Sequence, residues 1–206
     1  DEALAGRAGF AFRDRGDALA VAGVRRIEAR YRAPYLAHAA LEPLNCTAQV
    51  KDGRVTLWVP TQVPSFARAV AAQVAGVAVE AVDLHLTYLG GAFGRRLEVE
   101  VIAQAVRVAL ETGGRPVQLV WPRETDFAHD VYRPAAAAAL RAELDENGRL
   151  LALAVGSAGD AILPRYYERV FPPMAGPVDP PDKTTAEGLF DLPYAVPNLR
   201  VAHVAT

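Results

Sequence analysis

Cysteine, lysine, methionine and long apolar runs are what this sequence has least of. A single cysteine, Cys46, in 206 residues rules out an intrachain disulfide and any thiolate-rich metal site. Lysine occurs only at Lys51 and Lys183; arginine brings the basic total to 22 against 24 acidic residues, and no basic run forms. With a formal net charge of −2 and a pI of about 6.1, no nucleic-acid partner is expected. No apolar stretch approaches the length of a bilayer span, and the first residues lack the basic start and apolar core of a secretory signal. The only methionine is Met174, the sequence starts in mid-pattern at Asp1, and Thr206 ends an apolar, strand-like stretch. This has the look of a piece of a longer chain and leaves the compartment open.

What is present is apolar enough to fold. Hydrophobic residues make up 51% of the chain, and the mean hydropathy of +0.09 suits one substantial core or two small ones. Residues 1–23, rich in Ala, Gly and Arg, read as a connector with a short helix near residues 17–22. Residues 26–31 read as a strand, and Asp52-Gly53 marks a hairpin between residues 46–51 and 54–59, since both turn positions tolerate positive φ. Ala48, Val50, Val55, Leu57 and Val59 then share a face. Thr61 is a candidate N-cap for a helix carrying Phe66, Val70 and Val74 and ending at Gly76. Residues 82–87 alternate as a strand, and the glycine-rich stretch 90–94 leads into a second helix with Val99, Ile102, Ala103, Val106 and Leu110 on one stripe. A short strand at residues 117–121 and a second hairpin, over residues 138–155 around Asn147-Gly148, complete the pattern.

Eight of the 15 prolines follow Asp160, so residues 171–182 are expected to form an ordered connector or lid rather than a regular element. The expected fold is α+β, with mixed or antiparallel sheets, two hairpins, two or three packed helices and a Pro-rich C-terminal connector. The expected divisions are a connector at 1–23, a partial α+β domain at 24–159, and a Pro-rich extension at 160–206.

The most suggestive stretch is Gly90-Gly91-Ala92-Phe93-Gly94-Arg95-Arg96. Closely spaced glycines let backbone N–H groups approach an anion or a polar cofactor edge. The spacing matches neither a nucleotide P-loop nor a dinucleotide fingerprint, and the plainer reading is a tight strand-to-helix turn. Arg95 and Arg96 have the chemistry to grip a phosphate, but pairing with Glu98 and Glu100 is the structural alternative and is favoured for Arg96. His38 and Glu42 have the four-residue spacing of a helical metal pair; Pro34 and Pro43 bracket them and no third ligand is near, so both read as hydrogen-bonded supports. Asp126 and Asp130, with His129 and Arg133, form either an acid–base cluster or solvated loop charge. Cys46 reads as a small buried hydrophobe.

Set in order, these segments resemble a known family. The run Ala33-Pro34-Tyr35-Leu36-Ala37-His38-Ala39-Ala40-Leu41-Glu42-Pro43-Leu44-Asn45-Cys46 resembles the opening of the molybdenum-binding part of molybdenum hydroxylase large subunits. The similarity is to the xanthine dehydrogenase and aldehyde oxidase family, isoquinoline 1-oxidoreductase beta-subunit type. Pro60-Thr61-Gln62-Val63-Pro64, the glycine-rich stretch, Pro116-Val117, Trp121-Pro122-Arg123-Glu124, Tyr132-Arg133-Pro134 and the stretch from Asp191 to Leu199 follow in the family's order.

That resemblance implies a molybdenum cofactor in the full-length protein, though not in this piece alone, and hydroxylation of aldehydes or N-heterocycles with oxygen from water. It implies that Gln62 hydrogen-bonds an oxo ligand of the metal and that Gly91, Ala92, Phe93 and Gly94 embrace the metal centre and pterin, with Arg95 beside them. On residues alone, Gln62 reads equally as a helix-start amide and Phe93 as a core aromatic. Ala92 stands where the family usually has a third glycine, which would strain the loop if that position needs positive φ. The family's glutamate base lies in a Gly-x-Gly-Glu motif absent here, so no catalytic residue and no metal ligand is assigned within the chain, and the piece alone is expected to be inactive. The implied partners are a small-molecule substrate, an iron–sulfur small subunit and the remainder of the large subunit. The competing reading is a cofactor-free structural or interaction module, favoured by Ala92.

Overall fold

Asp52 and Gly53 both take positive φ, at 50° and 74°, and so make the tight turn their residue types predict. The turn joins β3 (Asn45–Lys51) to β4 (Arg54–Val59) in antiparallel register, with Val50 opposite Val55 and Ala48 opposite Leu57. In this computed structural model, which describes residues 9–174 and 181–206, the chain divides into two compact units. Residues Ala37–Tyr132 form one; Asp1–Leu36 with Arg133–Thr206 form the other. The stretch from Val24 to Gly159, expected as one block, therefore contributes to both.

In the Ala37–Tyr132 unit, β4 is followed by α1 (Pro64–Ala75) and β5 (Val82–Leu86), which pairs parallel to β4, with Val59 opposite Leu86. A helix is the usual bridge between parallel neighbours. Next come α2 (Glu100–Ala109), β6 (Val117–Val120), antiparallel to β3, and the short α3 (Arg123–Ala128). The four-stranded order is β5-β4-β3-β6. The core lies between one sheet face and the helices: Cys46, Ala48, Val55, Leu57 and Val82 meet Ala67 and Ala71 of α1 and Val101, Ile102, Ala105 and Val106 of α2. Truncating Leu57 or Ile102 to alanine would leave a cavity costing about 2–5 kcal/mol.

The helices differ from the sequence pattern in detail. Helix α1 begins at Pro64 with Val63 before it, not at Thr61, whose hydroxyl instead accepts from Val63 N–H and donates to the Arg96 carbonyl. Its buried face is Ala67, Ala71 and Ala72, with Phe66, Val70 and Val74 only partly covered. The buried stripe of α2 is Val101, Ile102, Ala105, Val106 and Ala109 rather than one running from Val99 to Leu110.

The other unit is a five-stranded sheet of order β1-β9-β8-β7-β2. It contains β1 (Phe10–Arg15), β2 (Arg25–Ala33), β7 (Ala136–Leu144), β8 (Leu150–Gly159) and β9 (Asn198–Ala205), with β8 and β9 parallel and the remaining pairs antiparallel. Strand β1 lies where a connector was expected. The second hairpin is present, but its turn is longer than two residues: the Asp145 carboxylate accepts from the N–H groups of Asn147 and Arg149, and only Gly148 takes positive φ. Helix α4 (Leu163–Val170), also unanticipated, follows β8. Of the expected connector at 171–182, residues 175–180 lie outside the described residues, as do residues 1–8 of the expected N-terminal connector. Two mixed sheets with four α-helices among the described residues make the fold α+β, as expected.

Candidate functional site

Strand direction gathers four segments at one end of the Ala37–Tyr132 unit. Strands β4 and β5 run parallel, so residues 60–63 and 87–94 leave the sheet on the same side, and the Thr87 N–H donates to the Val59 carbonyl at 3.3 Å. Strand β3 is antiparallel to β4, so the residues leading into Asn45 lie at that end as well. Strand β6 is antiparallel to β3, with Val120 opposite Asn45, and delivers Trp121 and α3 there. Residues 37–44, 60–63, 87–97 and 121–130 thus form one cluster, and each holds a segment singled out from the sequence.

The glycine-rich loop is shaped by its backbone. Gly91, Phe93 and Gly94 have φ of 107°, 56° and 100°. Ala92 is not among the positive-φ residues; the strain that its side chain threatened falls on Phe93, for which a left-handed conformation costs about 1–2 kcal/mol. Phe93 is 68% exposed, so it is no core aromatic within this chain. The facing segment fits closely against the loop. A Cβ on Gly90 would lie 2.5 Å from the Glu42 Cβ, and one on Gly91 would lie 3.1 Å from the Ala40 Cβ. Ala39, in that segment, is another non-glycine residue at positive φ. Such outliers gather where surrounding structure over-determines the backbone, often at ligand sites.

Four consecutive amides in this loop are unused. The Gly90 N–H donates to the Glu42 carboxylate and the Arg95 N–H to the Ala92 carbonyl, whereas the N–H groups of Gly91, Ala92, Phe93 and Gly94 have no acceptor among the described residues. Successive free amides with left-handed residues among them make a concave donor array suited to an anion or a polar ligand edge. Gln62 is held beside the end of the loop through its own N–H, which donates to the Arg96 carbonyl at 3.0 Å, and its side chain is exposed.

The two arginines face inward. Arg96 is 2% exposed and ties the segments together: Nε donates to the Gly91 carbonyl, Nη1 to the Pro60 carbonyl, and Nη2 to the Glu42 carbonyl and carboxylate. Burial pushes its pKa below the ordinary arginine value, with Glu42 and Asp126 opposing that shift. Arg95 is equally buried, paired with Glu100, with its guanidinium 5.8 Å from the Trp121 ring centroid. Its Nε lies 3.3 Å from Asp130 Oδ1 but off the hydrogen-bond direction, and its Nη1 has no acceptor. The guanidinium expected beside a cofactor is thus committed to the interior, where two carboxylates compensate its charge.

The remaining polar residues sort themselves by partner. His38 Nδ1 lies 2.8 Å from Asp130 Oδ1, while Asp130 Oδ2 accepts the His38 backbone N–H at 2.5 Å. His38 sits in irregular backbone, not on a helix with Glu42, and Glu42 instead braces Gly90 and Arg96. Asp126 pairs with Arg123 rather than Asp130. Cys46 is fully buried, and burial pushes its thiol up to about 12, which removes it as a nucleophile at neutral pH. The His38–Asp130 bond was missed from the sequence because 92 residues separate its partners.

Comparison with known proteins identifies the family. The chain is 34% identical over 135 residues to the isoquinoline 1-oxidoreductase subunit beta of Brevundimonas diminuta, and 31% identical over 128 residues to the aldehyde oxidoreductase molybdenum-binding subunit of Escherichia coli K12. These alignments take in 65% and 62% of this chain but only 17% and 18% of the two relatives, so the chain spans less than a fifth of either protein. Quinoline 2-oxidoreductase from Pseudomonas putida 86 shares the fold, with a TM-score of 0.60 over 89% of this chain and 22% of its own, at 20% identity. The family model of the molybdopterin cofactor-binding domain matches residues 6–164, and the chain therefore belongs to the molybdopterin cofactor-binding domain family.

Proposed function

We propose that the loop amides of Gly91, Ala92, Phe93 and Gly94, with the side chain of Gln62, form part of the wall that holds the molybdenum cofactor in the full-length subunit. The four unpaired amides carry this reading: Gly91, Ala92 and Gly94 are half-buried residues whose N–H groups lack a protein acceptor, and Phe93 between them lacks one too. The residues fit such a group. The unpaired amides lie at one end of the sheet, a Cβ at Gly91 would come within 3.1 Å of that of Ala40, and Gln62 brings a further amide donor to the same end. Arg95 enters only through its position after the loop, since its side chain is engaged elsewhere.

The cofactor, when bound, supplies the redox and hydroxylation chemistry. This chain's own residues bind and orient: the loop fixes a donor array, Arg96 locks that array to Pro60 and Glu42, and Phe93 offers an exposed aromatic face beside it. The full-length protein is proposed to hydroxylate an aldehyde or N-heterocycle together with an iron–sulfur subunit, in keeping with the names of its relatives. The cofactor-free alternative rested on Ala92, and Ala92 lies outside the positive-φ set.

The test is oxidation of aldehydes and N-heterocycles by the purified full-length complex with a dye acceptor. Turnover with molybdenum present is expected, falling roughly 10–100-fold in Gln62→Ala while metal content persists. A full-length complex that binds neither molybdenum nor pterin would refute the proposal.

A further inference from the structure

The glycine loop leaves four N–H donors and the Phe93 carbonyl without partners, and a hydrogen-bonding ring nitrogen stands next to it. His38 Nε2 lies 3.7 Å from where a Cβ on Gly94 would be, and it has no partner among the described residues. The His38 side chain is 9% exposed and that of Asp130 2%. Both Asp130 oxygens contact His38, one its backbone N–H and one Nδ1, while Oδ1 also lies 3.3 Å from Arg95 Nε. A carboxylate only accepts, so Nδ1 carries a proton, and in the neutral form of the ring Nε2 is left as an acceptor. A carboxylate bonded to one ring nitrogen, with the far nitrogen unpartnered beside the loop, is an arrangement that can orient a ligand-contacting imidazole.

We propose that His38 Nε2 contacts the ligand held by the glycine loop, accepting a hydrogen bond from an N–H of that ligand. The ligand edge read from this surface has acceptors for the amides of residues 91–94 and, beside them, a donor for His38. A nitrogen heterocycle such as the pterin offers both, whereas a fully deprotonated inorganic anion offers acceptors only and matches Nε2 only where the ring is protonated. Asp130 is then a positioning residue, acting through His38. This inference rests on the proposed function and deepens it, by assigning a residue that discriminates a pterin-like edge from a bare phosphate.

The experiment uses the full-length complex with wild-type, His38→Asn and His38→Gln subunits. Asparagine can keep the donor to Asp130 while deleting the Nε2 position; glutamine reaches toward the Nε2 position while giving up the Asp130 bond. Pterin and molybdenum per subunit are measured together with the Mo(V) electron paramagnetic resonance signal. Melting temperatures are taken on the same proteins produced without cofactor synthesis. The expected result is that His38→Asn melts like the wild type but holds roughly tenfold less pterin, while His38→Gln recovers part of it. Wild-type pterin content and an unchanged signal in His38→Asn would overturn the inference and leave the proposed function standing. Equal losses in both variants that follow their melting temperatures would also overturn it, by showing a purely structural role. A wild-type complex without pterin or molybdenum would sink the proposed function itself, and this inference with it.

Discussion

Single residues set the loop's shape more by what they exclude than by what they bind. Gly90 has ordinary φ, so its requirement is space: any Cβ would overlap the Glu42 Cβ. Gly90→Ala is therefore expected to destabilise the protein by roughly 1–3 kcal/mol, read from urea unfolding, because the facing segment must shift. A change within about 0.5 kcal/mol would show that the two segments are looser than drawn. Neighbouring positions behave differently. Ala92 needs no glycine, while Phe93 occupies a conformation that glycine would take more easily. That exchange of roles could not be read from the sequence, since a run of small residues does not reveal which of them turns left-handed. Gly53, by contrast, was legible, because Asp-Gly between two apolar alternations has few other meanings.

At the scale of elements, a buried guanidinium joins three segments that have no shared secondary structure. Arg96 satisfies carbonyls of Gly91, Pro60 and Glu42 at once. Arg96→Ala should cost about 3–5 kcal/mol, since it strands those acceptors and the Glu42 carboxylate. Arg96→Lys should restore only a minor part, because an ammonium cannot reproduce the planar fork. Thermal and denaturant unfolding of the two variants would check this; full rescue by lysine would count against the fork. In the five-stranded sheet, Glu143 accepts from the Gly23 N–H and from Arg26, which holds its carboxyl below the ordinary value of 4.5. A depressed folded pKa contributes stability that is complete above the unfolded pKa and is lost as pH falls through the folded one. Unfolding curves should thus show stability declining as pH drops below about 4.5, with a shallower decline in Glu143→Gln. The same acid slope in both proteins would assign the decline to other groups.

Legibility of elements followed the reach of their contacts. Strands β3 and β4 were readable because they pair across a short turn, and β5, β6 and the two helices from their own apolar patterns, although β6 pairs with β3 far back in the chain. Strand β1 was not, since Phe10 pairs with His203 across nearly the whole chain and its own sequence has little alternation. Helix α4 begins with Leu163-Pro164 in a proline-rich region, and proline in a first turn is compatible with a helix even though it reads as a breaker. The buried face of α1 was misjudged because alanines, not the larger Phe66, Val70 and Val74, take the close approach to the core. In the site, the types of Gln62 and the glycines were visible. Their placement at one end of the sheet rests on β4 and β5 running parallel, which no local pattern announces.

For the whole molecule, two sheets of different strand order carry separate cores, and the site segments all belong to the Ala37–Tyr132 unit. Among the described residues no helix is long and apolar enough to cross a membrane. The chain spans under a fifth of the relatives it matches, so the complete substrate cavity is proposed to require the rest of the subunit, and the isolated piece is expected to oxidise no aldehyde or N-heterocycle. The most direct measurement is the ratio of molybdenum and pterin to protein in the full-length subunit, compared between wild type and Gly94→Val. Valine cannot easily hold the φ of 100° found at Gly94, so the variant disturbs the amide array without removing a side chain. Close to one cofactor per wild-type subunit, with less than about a tenth of that in the variant, is the predicted result. Equal cofactor content in the two proteins would contradict the claim that the loop amides hold it.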